Sequence, residues 1–118
     1  MTQWVKRSEF RCPCCGLCHV DEWVVNRFNE ARSIARVPFH INSGYRCERR
    51  NQKVGGTSDS AHMMGLAADI KAEDSTARFR IVDALLQVGF MRIGIYPTFI
   101  HADLAHAGKP APVLFLGK

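Results

Sequence analysis

With 118 residues, 47% of them hydrophobic, the chain is long enough to bury one core and too short for two ordinary domains, so a single domain over 1–118 is expected. The 16 Lys+Arg against 11 Asp+Glu give a formal charge of +5, which favours an anionic polymer as partner without choosing among nucleic acid, an acidic wall glycan and a membrane surface. No segment approaches the run of about 18 apolar residues that spans a bilayer, and Met1 to Arg7 lacks a signal-like apolar stretch, which predicts a protein that is soluble and cytoplasmic as synthesised.

The basic residues are scattered, with one modest cluster at Arg46, Arg49, Arg50 and Lys53, and read first as a solvated surface. Five cysteines are an odd number, and with no export signal the thiols are expected reduced. Residues 1–20 read as an irregular leader, because the close Cys, Pro and Gly spacing of Cys12-Pro13-Cys14-Cys15-Gly16-Leu17-Cys18 defeats any regular period.

From Asp21 the pattern changes. Val24, Phe28, Ala31 and Ala35 recur at helical spacing, and a helix is predicted from Asp21, as N-cap, to Arg36. Pro38 ends it, and Phe39 to Ser43 alternates like a short strand. Arg46 to Ser60 is polar, carries Gly55-Gly56 and reads as a long loop. Leu66 to Ile70 reads as a strand with Leu66, Ala68 and Ile70 on one face and Ala67 and Asp69 on the other. Ser75 then suits an N-cap, and Phe79, Val82, Leu85 and Leu86 form the stripe of a second helix closed by Gly89. Strands over Met91–Tyr96 and Phe99–Leu104, turned by Pro97-Thr98, must be antiparallel neighbours. The tail over 105–118 is rich in Ala, Gly and Pro, with Val113–Leu116 as a last strand. This order predicts an α+β domain with helices packed on a small, mainly antiparallel sheet.

The chemistry gathers in two places. Ser60-Ala61-His62-Met63-Met64-Gly65-Leu66-Ala67-Ala68-Asp69 ends the loop on a histidine, turns at Gly65 and puts an aspartate on the next strand. In Phe99-Ile100-His101-Ala102-Asp103-Leu104, period two sends His101 and Asp103 to one face and the apolar residues to the other. If the two strands are neighbours, these groups converge. Two imidazoles and a carboxylate are a typical three-ligand set for a catalytic zinc ion, His62, Asp69 and His101 here, with the fourth position left to water. Zinc lowers the pKa of that water to about 7 and polarises a scissile carbonyl. A carboxylate is then needed to shuttle the proton to the leaving amine, and Asp103 is available.

Ser43-Gly44-Tyr45-Arg46, Asn51 with Gly55-Gly56, SxHxxGxAxD from Ser60 to Asp69, Gly94-Ile95-Tyr96 and Phe99-Ile100-His101-Ala102-Asp103 together resemble the zinc D-Ala-D-Ala carboxypeptidase family. That M15-like family includes the L-alanyl-D-glutamate endolysins of bacteriophages and shares the Hedgehog/DD-peptidase fold. The likeness runs from about Phe10 to Leu104. It implies one catalytic zinc ion held by His62, Asp69 and His101, and a catalytic or substrate-binding role for Arg46, whose fixed guanidinium suits a developing oxyanion. Ser60 either hydrogen-bonds substrate or orders the loop before His62. The chain departs from the phage endopeptidases, whose acidic base lies three residues before the last ligand, where Thr98 stands here. Other members carry HxH in place of His101-x-Asp103. Asp103 is therefore read as the general base or as a carboxylate orienting His101, with ligation in place of His101 as a further option.

The implied activity is hydrolysis of an amide bond in peptidoglycan stem peptides, by a monomer with no nucleic-acid partner and no membrane span, reaching the wall after release by a separate lysis step, as a phage or prophage enzyme would. Two other readings compete: a zinc-stabilised binding module of the same fold with no turnover, and a basic Cys-rich nucleic-acid-binding protein, although no groove-reading helix or RNA-binding motif is present. For the thiols, adjacent Cys14-Cys15 cannot easily face one ion, and Cys47, His19 or both would have to complete a second metal site. Buried or free thiols near the Arg46-Cys47 turn are the expectation.

Overall fold

The first apolar row forms helix α1, Glu22–Ala35, which buries Val24, Val25, Phe28, Ala31 and Ala35 and ends on Arg36 in the left-handed region, φ 59°. The computed structural model describes residues 3–104 and 109–118. Of the tail, residues 105–108 lie outside the described residues.

The helix predicted after Ser75 is α3, Ser75–Gln87. Its cap is one residue earlier than expected: Asp74 accepts from the Ala77 amide at 2.8 Å. Its buried row also differs. Ile81, Ala84 and Leu85 face the core, whereas Phe79 is 72% and Leu86 55% exposed. The segment carries two apolar rows, and the Ile81 row is the one that meets α1 and the sheet. Phe28 packs between Phe10 and Phe90, with ring centroids 5.6 and 4.6 Å away, so the leader, α1 and the residues after α3 share one aromatic cluster.

Five strands form one sheet in the order β1-β2-β4-β3-β5. They are β1 Ile41–Ser43, β2 Ala67–Lys71, β3 Arg92–Ile95, β4 Phe99–Asp103 and β5 Val113–Leu116. All pairs are antiparallel except β3 with β5, so the architecture is the expected α+β class. The tight turn between β3 and β4 is closed by Tyr96 N–H donating to Phe99 O at 3.0 Å. Ala68, Ile70, Ile93, Ile100 and Ala102 are buried in the core. Period two then directs Asp69, His101, Asp103 and Arg92 to the opposite face.

The irregular leader contributes to the core: Val5, Phe10, Cys12 and Val20 are buried, and Arg7–Phe10 is a 3₁₀ turn. Buried Asn29 of α1 accepts from the Trp4 and Val5 amides at 2.7 and 2.8 Å and donates to Val5 O at 2.8 Å, standing in for a strand edge. The stretch 46–60 is not all loop, because Glu48–Lys53 is a short helix, α2. Its sequence ERRNQK has no apolar stripe to reveal it. Local bonds hold it: the Cys47 sulfur accepts from Arg50 N–H, and buried Asn51 donates to Thr57 O at 2.7 Å. A Cβ on Gly56 would lie 2.1 Å from Asn51 Oδ1, which explains a glycine there.

Candidate metal centre

The pairing of β2 with β4 sets Asp69 directly opposite His101, and β3 sets Gly94 on the other side of His101. Directly opposed residues on one face of a sheet touch. His62 arrives differently, on the 3₁₀ turn Ala61–Met64, where its amide donates to Ser60 Oγ at 3.2 Å. Gly65 then swings the chain into β2 with φ +69°, at a point where a Cβ would lie 1.9 Å from His19 O. The HxxGxAxD spacing is thus one turn, one left-handed residue and the start of a strand.

His62 Nε2 lies 3.2 Å, and His101 Nδ1 3.0 Å, from the same Asp69 oxygen, Oδ1. The three candidate donor atoms all fall within 4.8 Å of one another. The outer nitrogens are also committed: His62 Nδ1 donates to Gly44 O at 2.7 Å and His101 Nε2 to Asp103 Oδ2 at 2.6 Å. Both acceptors can only accept, so in the neutral rings each proton sits on the outer nitrogen and each inner nitrogen turns a lone pair toward Asp69. Three electron pairs facing one another in a site where His62 is 1% exposed call for a cation between them.

The electrostatics agree. Burial opposes charge on His101, but the hydrogen bonds to Asp103 and Asp69 outweigh it and hold the ring at about 9. Burial likewise works against ionising Asp69, yet the bonds from His101 and His62 prevail and hold its carboxyl far below the usual carboxylate range. Without a metal, a proton on His101 takes the place of the cation. The donor set of two imidazole nitrogens and one carboxylate oxygen fits zinc.

Asp103 stands behind His101 as seen from Asp69. It is 2% exposed, one oxygen holds His101 and the other pairs with Arg92 Nε at 2.9 Å, its register partner on β3. This is the geometry of a carboxylate that orients a ring. Thr98, in the β3–β4 turn, carries no acid to the cleft. Arg46 and Ser60 are brought together: Arg46 Nη2 donates to Ser60 Oγ at 3.4 Å, and the Arg46 amide donates to His62 O at 3.1 Å. Ser60 Oγ thus accepts from both Arg46 and the His62 amide. Arg46 Nε is buried with no hydrogen-bond partner among the described residues.

These groups line a cleft of about 410 Å³ that also includes Tyr96, Arg92 and Phe115. Sequence reasoning gave no role to Arg92 or Phe115. The register that pairs Arg92 with Asp103 was the available signal for the first. Phe115 covers Gly94, where a Cβ would come within 2.5 Å of its ring, and its own ring centroid is 6.0 Å from that of His101. Burial and the Asp69 charge raise the pKa of the Tyr96 phenol, so it remains a proton-bearing donor.

A two-layer α+β fold with a His-Asp-His cluster at the floor of a cleft defines a candidate metallohydrolase. The family model described as Peptidase M15 matches residues 10–103, and the chain belongs to that family. No curated protein matches it. The family is one of peptidases, generally zinc-dependent, and no helix among the described residues is long and apolar enough to cross a membrane.

Proposed function

We propose that this protein is a zinc peptidase that hydrolyses an amide bond in the stem peptides of peptidoglycan, with His62, Asp69 and His101 as the metal ligands. The observation that carries the reading is the pair of outward-fixed imidazole tautomers, which leave two nitrogen lone pairs and Asp69 Oδ1 converging at the floor of the cleft. A zinc ion bound there supplies Lewis acidity, polarising a carbonyl and acidifying water toward neutrality.

The chain's own residues supply the rest. Arg46, whose buried Nε has no hydrogen-bond partner among the described residues, binds the oxygen of the scissile group or a substrate carboxylate, and Ser60 fixes that guanidinium through its hydroxyl. Tyr96 donates from the cleft wall. Asp103 holds the His101 ring and its tautomer. Stem peptides carry free carboxylates, which suits a cleft lined by Arg46, Arg92 and Lys109.

One observation favours a second reading, a zinc-stabilised module of the same fold without turnover. Among the described residues, the acids lining the cleft are Asp69 and Asp103, and both hold histidines. Incubating the protein with muropeptides, with and without a chelator, and weighing the products by mass spectrometry decides between them. Chelator-sensitive cleavage supports the peptidase. Intact muropeptides alongside a tightly bound stoichiometric zinc ion support the module.

A further inference from the structure

The sequence favours free or buried thiols here and requires Cys47, His19 or both to complete any second metal site; the fold brings Cys47 to the leader. Cys12 and Cys15 have the C-x₂-C spacing of a zinc-binding turn, closed by Gly16 at φ +77° and by the Gly16 amide donating to Cys12 O at 2.9 Å. Cys47, 32 residues further along, places its sulfur 3.6 Å from that of Cys12. The three sulfurs of Cys12, Cys15 and Cys47 all lie within 4.8 Å of one another.

Sulfurs bound at about 2.3 Å to a tetrahedral zinc ion sit roughly 3.8 Å apart, close to the Cys12–Cys47 distance, whereas a disulfide needs about 2.05 Å. The Arg50 amide donates to the Cys47 sulfur. Arg49 donates to Cys14 from Nε and Nη2 at 3.3 and 3.2 Å, bringing a positive charge beside the group. Cys18 is turned elsewhere, toward Arg7 O.

We propose that Cys12, Cys15 and Cys47 bind a second, structural zinc ion that clamps the leader to the turn bearing Arg46. The two segments already touch through Tyr45 N–H donating to Phe10 O at 2.7 Å, and a Cβ on Gly44 would lie 2.5 Å from the Phe10 backbone. A metal bound one residue past Arg46 fixes the backbone from which that guanidinium enters the cleft.

Cobalt replacing zinc reads the two sites separately, because only thiolate ligation gives an intense sulfur-to-cobalt charge-transfer band in the near ultraviolet. The full chain should bind two equivalents of cobalt and show that band. His62→Ala should lose one equivalent and keep the band, while Cys15→Ala and Cys47→Ala should lose the band and keep one equivalent. Should those variants fail to fold, the unaltered protein still tests the site: zinc should slow alkylation of Cys15 and Cys47 at least tenfold and leave Cys18 unchanged. One equivalent of metal without the charge-transfer band, alkylation of Cys15 and Cys47 indifferent to zinc, or a Cys12–Cys47 disulfide in protein kept under reductant would overturn the proposal. None of these results depends on peptidase activity.

Discussion

His101 gives Nε2 to Asp103 at 2.6 Å and turns Nδ1 toward Asp69 at 3.0 Å, so one ring joins the two carboxylates of the cleft. If Asp103 acts by fixing that ring, Asp103→Ala weakens zinc binding by roughly 10–100-fold, the usual cost of losing a partner behind a ligating histidine. Zinc affinity measured against a competing chelator checks this. An unchanged affinity with lost turnover would make Asp103 the general base instead.

Proton and metal compete for His101. Its folded pKa of about 9 lies above the ordinary value near 6.5, so in the metal-free protein its stabilising contribution is complete below about pH 6.5 and is lost as pH rises through about 9. The shift corresponds to a contribution on the order of 3 kcal/mol. Asp69 has the opposite sign, stabilising above its ordinary carboxylate range and failing as the pH falls through its depressed folded value. Denaturant unfolding of the metal-free protein should therefore show stability declining from pH 6.5 to 9. Apparent zinc affinity should rise by about tenfold per pH unit over the same window, because binding releases the His101 proton.

Gly65→Ala tests how His62 is placed. The left-handed backbone alone costs an alanine roughly 1 kcal/mol, and the new Cβ would meet His19 O, so a loss of more than about 2 kcal/mol is expected. Chemical denaturation measures it. Zinc affinity should fall in the same variant, since the displaced turn carries a ligand.

Arg46→Lys keeps the charge and removes the planar fork. Turnover of a muropeptide substrate should drop by about 100-fold, with zinc content unchanged by elemental analysis.

Much of this site was legible in the sequence because its signals are periodic. Alternation on β4 put His101 and Asp103 on one face, and the short Pro97-Thr98 connection made β3 and β4 antiparallel neighbours, as they are. What escaped was set by contacts between distant segments. Nothing in ERRNQK announces α2, which is held by Cys47 and Asn51 rather than by an apolar face. The leader looked irregular because its order comes from Asn29, 24 positions beyond Val5. Phe79 and Leu86 read as core because α3 carries two apolar rows, and only the arrangement of α1 and the sheet selects between them. The family base position at Thr98 and the carboxylate at Asp103 were visible, but the side of His101 on which Asp103 lies depends on the ring's orientation, which periodicity does not determine.

The most direct test is a crystal structure of the zinc-loaded protein with anomalous scattering recorded at the zinc edge. The expected result is a peak about 2.0–2.2 Å from His62 Nε2, Asp69 Oδ1 and His101 Nδ1, with Asp103 still bonded to the far side of the His101 ring. A cleft without that peak, or a zinc ion bound through Asp103 with His101 turned away, would contradict the assignment.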